Sequence, residues 1–120
     1  MIKLAFVFRT APHGTSVSRE GLDALLAATA FCDENEIAVH FMDDGVLNLL
    51  KNQQPDHILQ KDYIPLFKLL DLYDIENRYI CEQSLQRFSL SEQDLVLNLQ
   101  KTDRTLLMRQ LNQAEKILVF

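Results

Sequence analysis

The chain has 120 residues, of which 48% are hydrophobic and 24% charged, and its formal net charge is −5 at pH 7. This length and composition are typical of one globular domain, which we expect to span residues 1–120. Proteins that bind nucleic acid through its phosphates normally carry a basic face. The net negative charge of this chain therefore argues against direct, tight binding of RNA or DNA. No signal peptide or membrane span is recognised, and Cys32 and Cys81 form no metal-binding pattern. We therefore expect a cytoplasmic protein with two reduced thiols.

The first part of the chain alternates apolar runs with a helical pattern. Ile2–Phe8 is a nearly continuous apolar run, typical of a strand buried on both faces. A helix is predicted from about Ser18, a suitable N-cap residue, to about Asp33. Its apolar stripe consists of Leu22, Leu25, Leu26 and Thr29. Ile37–Met42 is the second predicted strand, and Val46–Leu50 is predicted to form one or two helical turns.

The middle of the chain predicts a longer helix and a short strand. Asp62 is suited to cap a helix that carries Pro65 in its first turn and ends near Asp74. Tyr63, Phe67 and Leu70 share one face of it. Arg78–Cys81 is the third predicted strand, followed by a short helix over Ser84–Phe88.

The last thirty residues predict strand, helix and strand. Leu95–Leu99 is the fourth predicted strand, and Thr102 or Asp103 is predicted to cap a helix lined by Leu107, Leu111 and Ala114. Lys116–Phe120 is the fifth predicted strand. The alternation throughout predicts an α/β fold with a five-stranded, mostly parallel sheet between two helical layers and right-handed crossovers.

Sites in sheets of this kind form beyond the carboxyl ends of the strands. Four segments are expected there: Arg9–Ser16, Asp43–Gly45, Cys81–Ser84 and Asn98–Thr102. Cys81 is the strongest chemical candidate, because a thiol between a strand and a helix faces free backbone N–H groups and the positive end of the helix dipole, which favour a thiolate. The alternative interpretation is that Cys81 is a small buried hydrophobe that ends the strand.

The remaining candidates are weaker. The loop Thr10–Ser16 follows a strand and opens a helix, as phosphate-binding loops do, but it lacks their glycines and lysine, so a solvated connection is the favoured interpretation. A small flavodoxin-like nucleotide or flavin binder that uses this loop is the alternative function. His13 in this loop is expected across the crevice from Cys81. His40, inside a strand, is interpreted as a satisfied structural histidine, His57 as exposed and Cys32 as core packing. No cofactor and no metal are expected.

Several blocks of the sequence resemble the DsrE/DsrF family, and the resemblance spans the whole chain. The blocks are Ala5–Thr15, Arg19–Leu26, Asp44–Val46, Asp62–Ile64, Phe67–Leu70, Leu72–Glu76, Cys81, Ser84–Leu85 and Ile117–Phe120. The resemblance implies an accessory subunit of a sulfur relay, without independent activity, that passes persulfide sulfur towards the 2-thio group of the wobble uridine in tRNA. It also implies assembly with TusB-like and TusD-like paralogues as a dimer of heterotrimers, a TusA-like donor and a TusE-like acceptor.

The resemblance also places Cys81 at the position where the family handles sulfur. In this family the accepted sulfur-carrying cysteine belongs to the TusD-like subunit, where small residues and a glycine usually follow it. Here Glu82 and Gln83 follow, and Ser89 stands where glycine is common. Cys81 is thus a candidate sulfur carrier in a chain with a mainly structural role. A docking patch could be formed by exposed aromatic residues, for which Tyr63, Tyr73, Tyr79 and Phe88 are the candidates.

Overall fold

Five parallel strands form the centre of the computed structural model, which describes residues 1–12, 15–51 and 67–120. The strands are β1 (Leu4–Phe8), β2 (Ile37–Phe41), β3 (Arg78–Cys81), β4 (Gln100–Thr102) and β5 (Lys116–Val119). Their order in the sheet is β4-β3-β2-β1-β5, and every neighbouring pair is parallel. The predicted parallel α/β architecture is confirmed.

Among the described residues, four α-helices connect these strands. They are α1 (Val17–Ala28), α2 (Leu69–Leu72), α3 (Glu82–Arg87) and α4 (Arg104–Asn112). A 3₁₀ helix over Asp43–Leu49 follows β2, where the sequence predicted one or two helical turns. The N-cap residue of α4 is Asp103, one of the two residues that the sequence predicted, and its side chain accepts a hydrogen bond from the backbone N–H of Thr105.

The order of the strands determines which face each helix covers. The chain steps in one direction from β1 to β4, so right-handed crossovers bring α1, α2 and α3 to the same face of the sheet. The step from β4 back to β5 runs the other way and brings α4 to the opposite face. The sheet therefore lies between two helical layers of unequal size.

Each face has its own apolar cluster. The larger cluster joins one face of the sheet to α1, α2 and α3 and includes Phe6, Phe8, Leu22, Leu25, Phe41, Leu70, Ile80 and Leu85. The smaller cluster lies under α4 and consists of Ala5, Val7, Met42, Cys81, Leu107 and Leu111. Aromatic rings concentrate in the larger cluster, where Phe8 stacks on Phe41 with 5.2 Å between ring centroids.

Both predicted ends of the first helix, α1, are wrong. Ser18 is not the N-cap of α1, because Ser16 holds that position. Ser18 lies buried in the first turn, and its hydroxyl donates to the Thr10 carbonyl oxygen at 3.0 Å. The helix also ends at Ala28, five residues before the predicted end.

The predicted fourth strand is wrong as well. Leu95 and Leu97 are buried against the larger cluster but lie outside the sheet, and Leu95 forms only an isolated antiparallel bridge with Leu50. The strand next to β3 is Gln100–Thr102. A short apolar run indicates burial, but it does not distinguish a strand from a loop packed on the core.

Part of the predicted middle helix lies outside the described residues. Asp62, Tyr63 and Pro65 fall there, as do His13 and His57, and α2 covers only Leu69–Leu72 of the predicted span. Within the three described ranges, no helix is long and apolar enough to cross a membrane.

Candidate functional site at the carboxyl edge of the sheet

Cys81 lies at the junction of a strand and a helix, as predicted. It is the last residue of β3 and the N-cap residue of α3. Its side chain is completely buried, and it belongs to the cluster beneath α4. In the sheet it pairs with Thr102, the last residue of β4, so the segment that begins α4 follows directly beside it.

The side chain of Gln83 connects Cys81 to that segment. The thiol of Cys81 donates to the Oε1 atom of Gln83 with 3.7 Å between sulfur and oxygen. The same oxygen accepts a hydrogen bond from the backbone N–H of Arg104 at 3.0 Å, and the Nε2 atom of Gln83 donates to Asp103 at 2.7 Å. The hydrogen bond from Gln83 is the main reason why the pKa of Asp103 lies below its ordinary value.

Asp43 joins three further segments at the same edge. Its carboxylate accepts hydrogen bonds from Nε of Arg9 at 2.8 Å and from Nη1 of Arg104 at 2.9 Å. Its backbone N–H donates to the hydroxyl of Ser84 at 2.8 Å. These three anchors hold Asp43 at a φ of 52°, a conformation that few residues other than glycine adopt. The hydrogen bond from Arg104 lowers the pKa of Asp43, and the bond from Arg9 adds to this effect.

Arg104 places a positive charge beside the thiol. Its pKa is raised chiefly by the hydrogen bond to Asp43, with a smaller contribution from the nearby Cys81. A guanidinium at this place stabilises negative charge on a sulfur atom, and Asp43 fixes its orientation. The site thus combines a buried thiol, the N-terminal end of a helix and an oriented cation.

The structure brings together residues of all four predicted edge segments. Arg9, Asp43 and Ser84 belong to three of them, and Thr102, the last residue of the fourth segment Asn98–Thr102, pairs with Cys81 in the sheet. The side chains that reach the site on this side belong to Asp103 and Arg104, which follow because β4 ends at Thr102. Sequence reasoning missed the roles of Gln83 and Arg104. Proximity of Gln83 to Cys81 along the chain was an available signal, but the contact with Arg104 depends on β4 lying next to β3.

The other candidates lie elsewhere. Thr10, at the start of the polar loop, forms hydrogen bonds within the protein. Its hydroxyl lies 2.9 Å from the Ser18 hydroxyl, and its carbonyl oxygen accepts a hydrogen bond from the side-chain amide of Asn48. Cys32 lies beyond the end of α1 and packs, partly buried, against the larger cluster, in agreement with its predicted packing role. Both cysteines are free thiols.

His40 corrects one expectation. It is buried as predicted, but its Nδ1 atom has no hydrogen-bond partner among the described residues, so it is not a satisfied histidine. Its ring stacks on Tyr79 with 5.0 Å between centroids. Burial lowers the pKa of His40 to about 4, so the imidazole is neutral at pH 7.

The predicted aromatic patch is only partly found on the surface. Tyr73 is 44% exposed, whereas Phe88 packs against the larger cluster and Tyr79 is partly buried beside His40. Tyr63 lies outside the described residues. In the part of the chain that the structure describes, no group of three or more His, Cys, Asp or Glu side chains is placed to hold a metal ion.

The fold and the site together define a small parallel α/β protein with a buried cysteine at the carboxyl end of an internal strand. The model of the DsrE/DsrF-like family matches residues 2–120, and the chain belongs to this family. The crystal structure of the ychN protein from Escherichia coli has a similar fold, with a TM-score of 0.80, 20% identity and complete coverage of both chains.

Within this family, the chain is similar over its full length to proteins named TusC. The chain is 62% identical over 119 residues to the protein TusC homolog of Haemophilus influenzae, covering 99% of this chain and all of that protein. It is 49% identical over 121 residues to protein TusC of Escherichia coli O157:H7, with complete coverage of both. These matches give no support to the alternative of a flavodoxin-like nucleotide or flavin binder.

Proposed function

We propose that this chain is a sulfur-relay subunit of the TusC type, which acts in the cytoplasm as one domain over residues 1–120. The relay passes persulfide sulfur towards the 2-thio group of the wobble uridine in tRNA. The full-length similarity to proteins named TusC is the observation that carries this proposal. The net charge of −5 supports a role inside a protein assembly rather than direct contact with tRNA.

The proposed partners are TusB-like and TusD-like paralogues in a dimer of heterotrimers. A TusA-like protein donates sulfur to this complex, and a TusE-like protein accepts it. The chain itself has a mainly structural role in the complex, and Cys81 is its candidate sulfur carrier.

Sulfur transfer at Cys81 needs no oxidant or reductant from outside. The thiolate of Cys81 attacks the terminal sulfur of the donor persulfide, and a new S–S bond forms as the donor's S–S bond breaks. The donor cysteine leaves as a thiolate, and Cys81 becomes the persulfide. The guanidinium of Arg104 supports this step because it stabilises the negative charge on the sulfur chain.

Burial of Cys81 sets a condition for that reaction. The side chain is completely buried, and Gln83 is hydrogen-bonded to both the thiol and the start of α4. A donor therefore reaches the sulfur only after the groups that cover it, among them the side chain of Gln83, move away. Since Gln83 is itself exposed, a docked partner is able to displace it.

Two measurements test the proposal. The chain, co-expressed with its TusB-like and TusD-like paralogues, is expected to copurify with them, and native mass spectrometry is expected to give the mass of a dimer of heterotrimers. Purification as a monomer in their presence would contradict the subunit role. Deletion of the gene is expected to abolish 2-thiouridine in the affected tRNAs.

The role of Cys81 is tested separately with a persulfide donor. Peptide mass spectrometry is expected to find one added sulfur atom on Cys81, none on Cys32, and none at position 81 in a Cys81→Ser variant. If the TusD-like subunit is loaded under the same conditions and Cys81 is not, the chain acts as a scaffold only.

A further inference from the structure

The edge strand β5 is exposed on both of its faces. Ile117, Leu118 and Val119 are apolar residues that are 43%, 38% and 58% exposed. Leu118 pairs with Phe6 of β1 and points to the face of the sheet that carries α1. Ile117 and Val119 alternate with it and point to the face that carries α4. Parallel strands of layered α/β folds are normally covered on both faces, so the exposure of β5 needs an explanation.

The outer edge of β5 also carries backbone groups that β1 does not use. The amide groups of Lys116 and Phe120 donate to backbone oxygens on the β1 side, at 3.0 and 2.8 Å. Alternate residues of a strand point their N–H and C=O groups to opposite sides. Ile117 and Val119 therefore direct theirs away from β1, and the described part of the chain places no further strand there.

The opposite edge of the same sheet is protected against strand pairing. β4 has only three residues, and its two exposed ones, Gln100 and Lys101, are polar. Short edge strands and exposed lysines are common means by which proteins prevent edge-to-edge association. The segment Ile117–Val119 has neither a charge nor a proline. Of the two edges, β5 is thus the one that is suited to pair with another strand.

The strand β5 is complementary to a second copy of itself. In an antiparallel pair centred on Leu118, Ile117 of each copy lies opposite Val119 of the other. The outward N–H and C=O groups of these residues then face each other, and each such pair exchanges both of its hydrogen bonds. Lys116, the only charged residue of β5, lies opposite Phe120 of the second copy, so no like charges are directly opposed.

Other registers satisfy fewer of these groups. A pair centred on Ile117 would place Val119 opposite Glu115 of the second copy. The amide of Glu115 already donates to the carbonyl oxygen of Ile2 at 3.1 Å, so it is not free to pair. The register centred on Leu118 uses both outward-facing residues of each copy.

The symmetry of this contact favours a second copy over a paralogue as the occupant. A surface that pairs with itself lies on a two-fold axis, and a dimer of heterotrimers has such an axis. Contacts between unlike subunits join two different surfaces, and they do not require that either surface match itself. A strand of four residues is only about 13 Å long, so the pairing adds to other contacts of the assembly rather than replacing them.

We propose that β5 pairs antiparallel with β5 of a second copy of this chain, around a two-fold axis that passes between the two Leu118 residues. The two sheets become one continuous sheet, and the apolar side chains of Ile117–Val119 pack against their counterparts. In the assembly this contact joins the two heterotrimers, a step that rests on the subunit role proposed above.

Disulfide formation tests the register directly. Residues opposed in a non-hydrogen-bonded antiparallel pair have Cα atoms about 4.5 Å apart, which a disulfide can bridge. Leu118→Cys, in the complex with the co-expressed paralogues, is therefore expected to give a covalent dimer of this chain with oxidised glutathione. Ile117→Cys is the matched control. It is similarly exposed, but its counterpart lies diagonally across the pair at about 7–8 Å, and at least tenfold less dimer is expected.

A second comparison tests the outward backbone groups. Ile117→Pro removes the N–H group that points away from β1 and leaves the bonds to β1 in place. Native mass spectrometry is expected to show at least a tenfold larger fraction of single heterotrimers than in the wild type. Ile117→Thr keeps the N–H group and a β-branched side chain, and less than a threefold change is expected. Thermal unfolding checks the fold of each variant.

The outcomes separate this contact from the proposed function. If the paralogues do not copurify with the chain, the subunit role fails, and disulfide formation by isolated Leu118→Cys at high protein concentration still decides whether β5 pairs with itself. If the wild type forms a dimer of heterotrimers but Leu118→Cys gives no more covalent dimer than Ile117→Cys, only the pairing of β5 is refuted. A disulfide from position 118 to a paralogue would place a different subunit on β5 and overturn the proposal.

Discussion

The thiol of Cys81 donates a hydrogen bond to the side-chain oxygen of Gln83, two residues further along the chain, at a sulfur–oxygen distance of 3.7 Å. Because that oxygen also accepts from the backbone of Arg104, one glutamine ties the end of β3 to the start of α4 across the sulfur atom. The exposed side chain of Gln83 is thus one of the groups that cover the sulfur, together with the apolar cluster beneath α4.

Substitution of Gln83 by alanine is expected to speed the alkylation of Cys81 by N-ethylmaleimide. The change removes hydrogen bonds that each contribute about 0.5–1.5 kcal/mol, so the rate is expected to rise roughly 2- to 10-fold. Peptide mass spectrometry over time measures the rate, and partly exposed Cys32 is an internal reference that should not change. Gln86→Ala, an exposed position in α3, is the control; an equal increase in both variants would mean general loosening of the helix.

Substitution of Asp43 by asparagine is expected to lower the free energy of unfolding by about 1 kcal/mol at pH 7, since it breaks two partly exposed ion pairs. Asparagine tolerates the positive φ at this position, so the backbone is preserved. The pKa of Asp43 is lowered in the folded state from an ordinary value of 3.8. Its contribution is therefore complete above pH 3.8 and is lost as the pH falls through the folded pKa.

Urea unfolding at several pH values measures this difference. The gap between wild type and Asp43→Asn is expected to be constant from pH 7 to about 5 and to shrink below pH 3.8. Asp44→Asn, a change at the exposed neighbouring position, is the matched control and is expected to have little effect. A gap that stays unchanged at pH 3 would exclude the ion pairs as its cause.

The fold was predictable where burial left a clear pattern in the residues. β1, β2 and β3 are apolar runs between polar breaks, and the alternation with helices predicts parallel pairing. β4 was not predictable because its residues, Gln100, Lys101 and Thr102, have no apolar run: it is an edge strand, and only Thr102 is buried. β5 was predicted as a strand. Its four residues are exposed because it lies at the other edge of the sheet, next to β1, and that position could not be predicted without the strand order.

The candidate site, like the fold, was predictable only where neighbouring residues carry a local signal. Cys81 could be placed between strand and helix because both neighbours have local signals. The pairing of Arg104 with Asp43 spans 61 residues and requires that β4, β3 and β2 be neighbours. Long-range contacts of this kind follow from topology, which periodicity alone does not fix.

His40 is expected to make the protein less stable in mild acid. Its pKa is about 4 in the folded protein and 6.5 in the unfolded chain, so the unfolded chain binds the extra proton first as the pH falls. Stability is expected to decrease between pH 6.5 and 4, by at most about 3 kcal/mol. His40→Phe keeps an aromatic ring against Tyr79 but removes the titration. Urea unfolding between pH 7 and 4.5 should therefore give a shallower pH dependence in the variant, and an identical slope would contradict the assignment.

Gly45 is expected to tolerate no side chain, because it packs directly on the backbone where β1 ends. A Cβ atom at this position would lie 1.8 Å from the carbonyl oxygen of Phe8 and 2.8 Å from the nitrogen of Arg9. Backbone atoms of an internal strand cannot move aside cheaply, so Gly45→Ala is expected to cost about 3 kcal/mol or more. Gly21→Ala is the comparison, since its Cβ would meet the side chains of Phe120 and Phe8 instead. The rings can shift, so a smaller loss is expected there, and urea midpoints in the reverse order would refute this account.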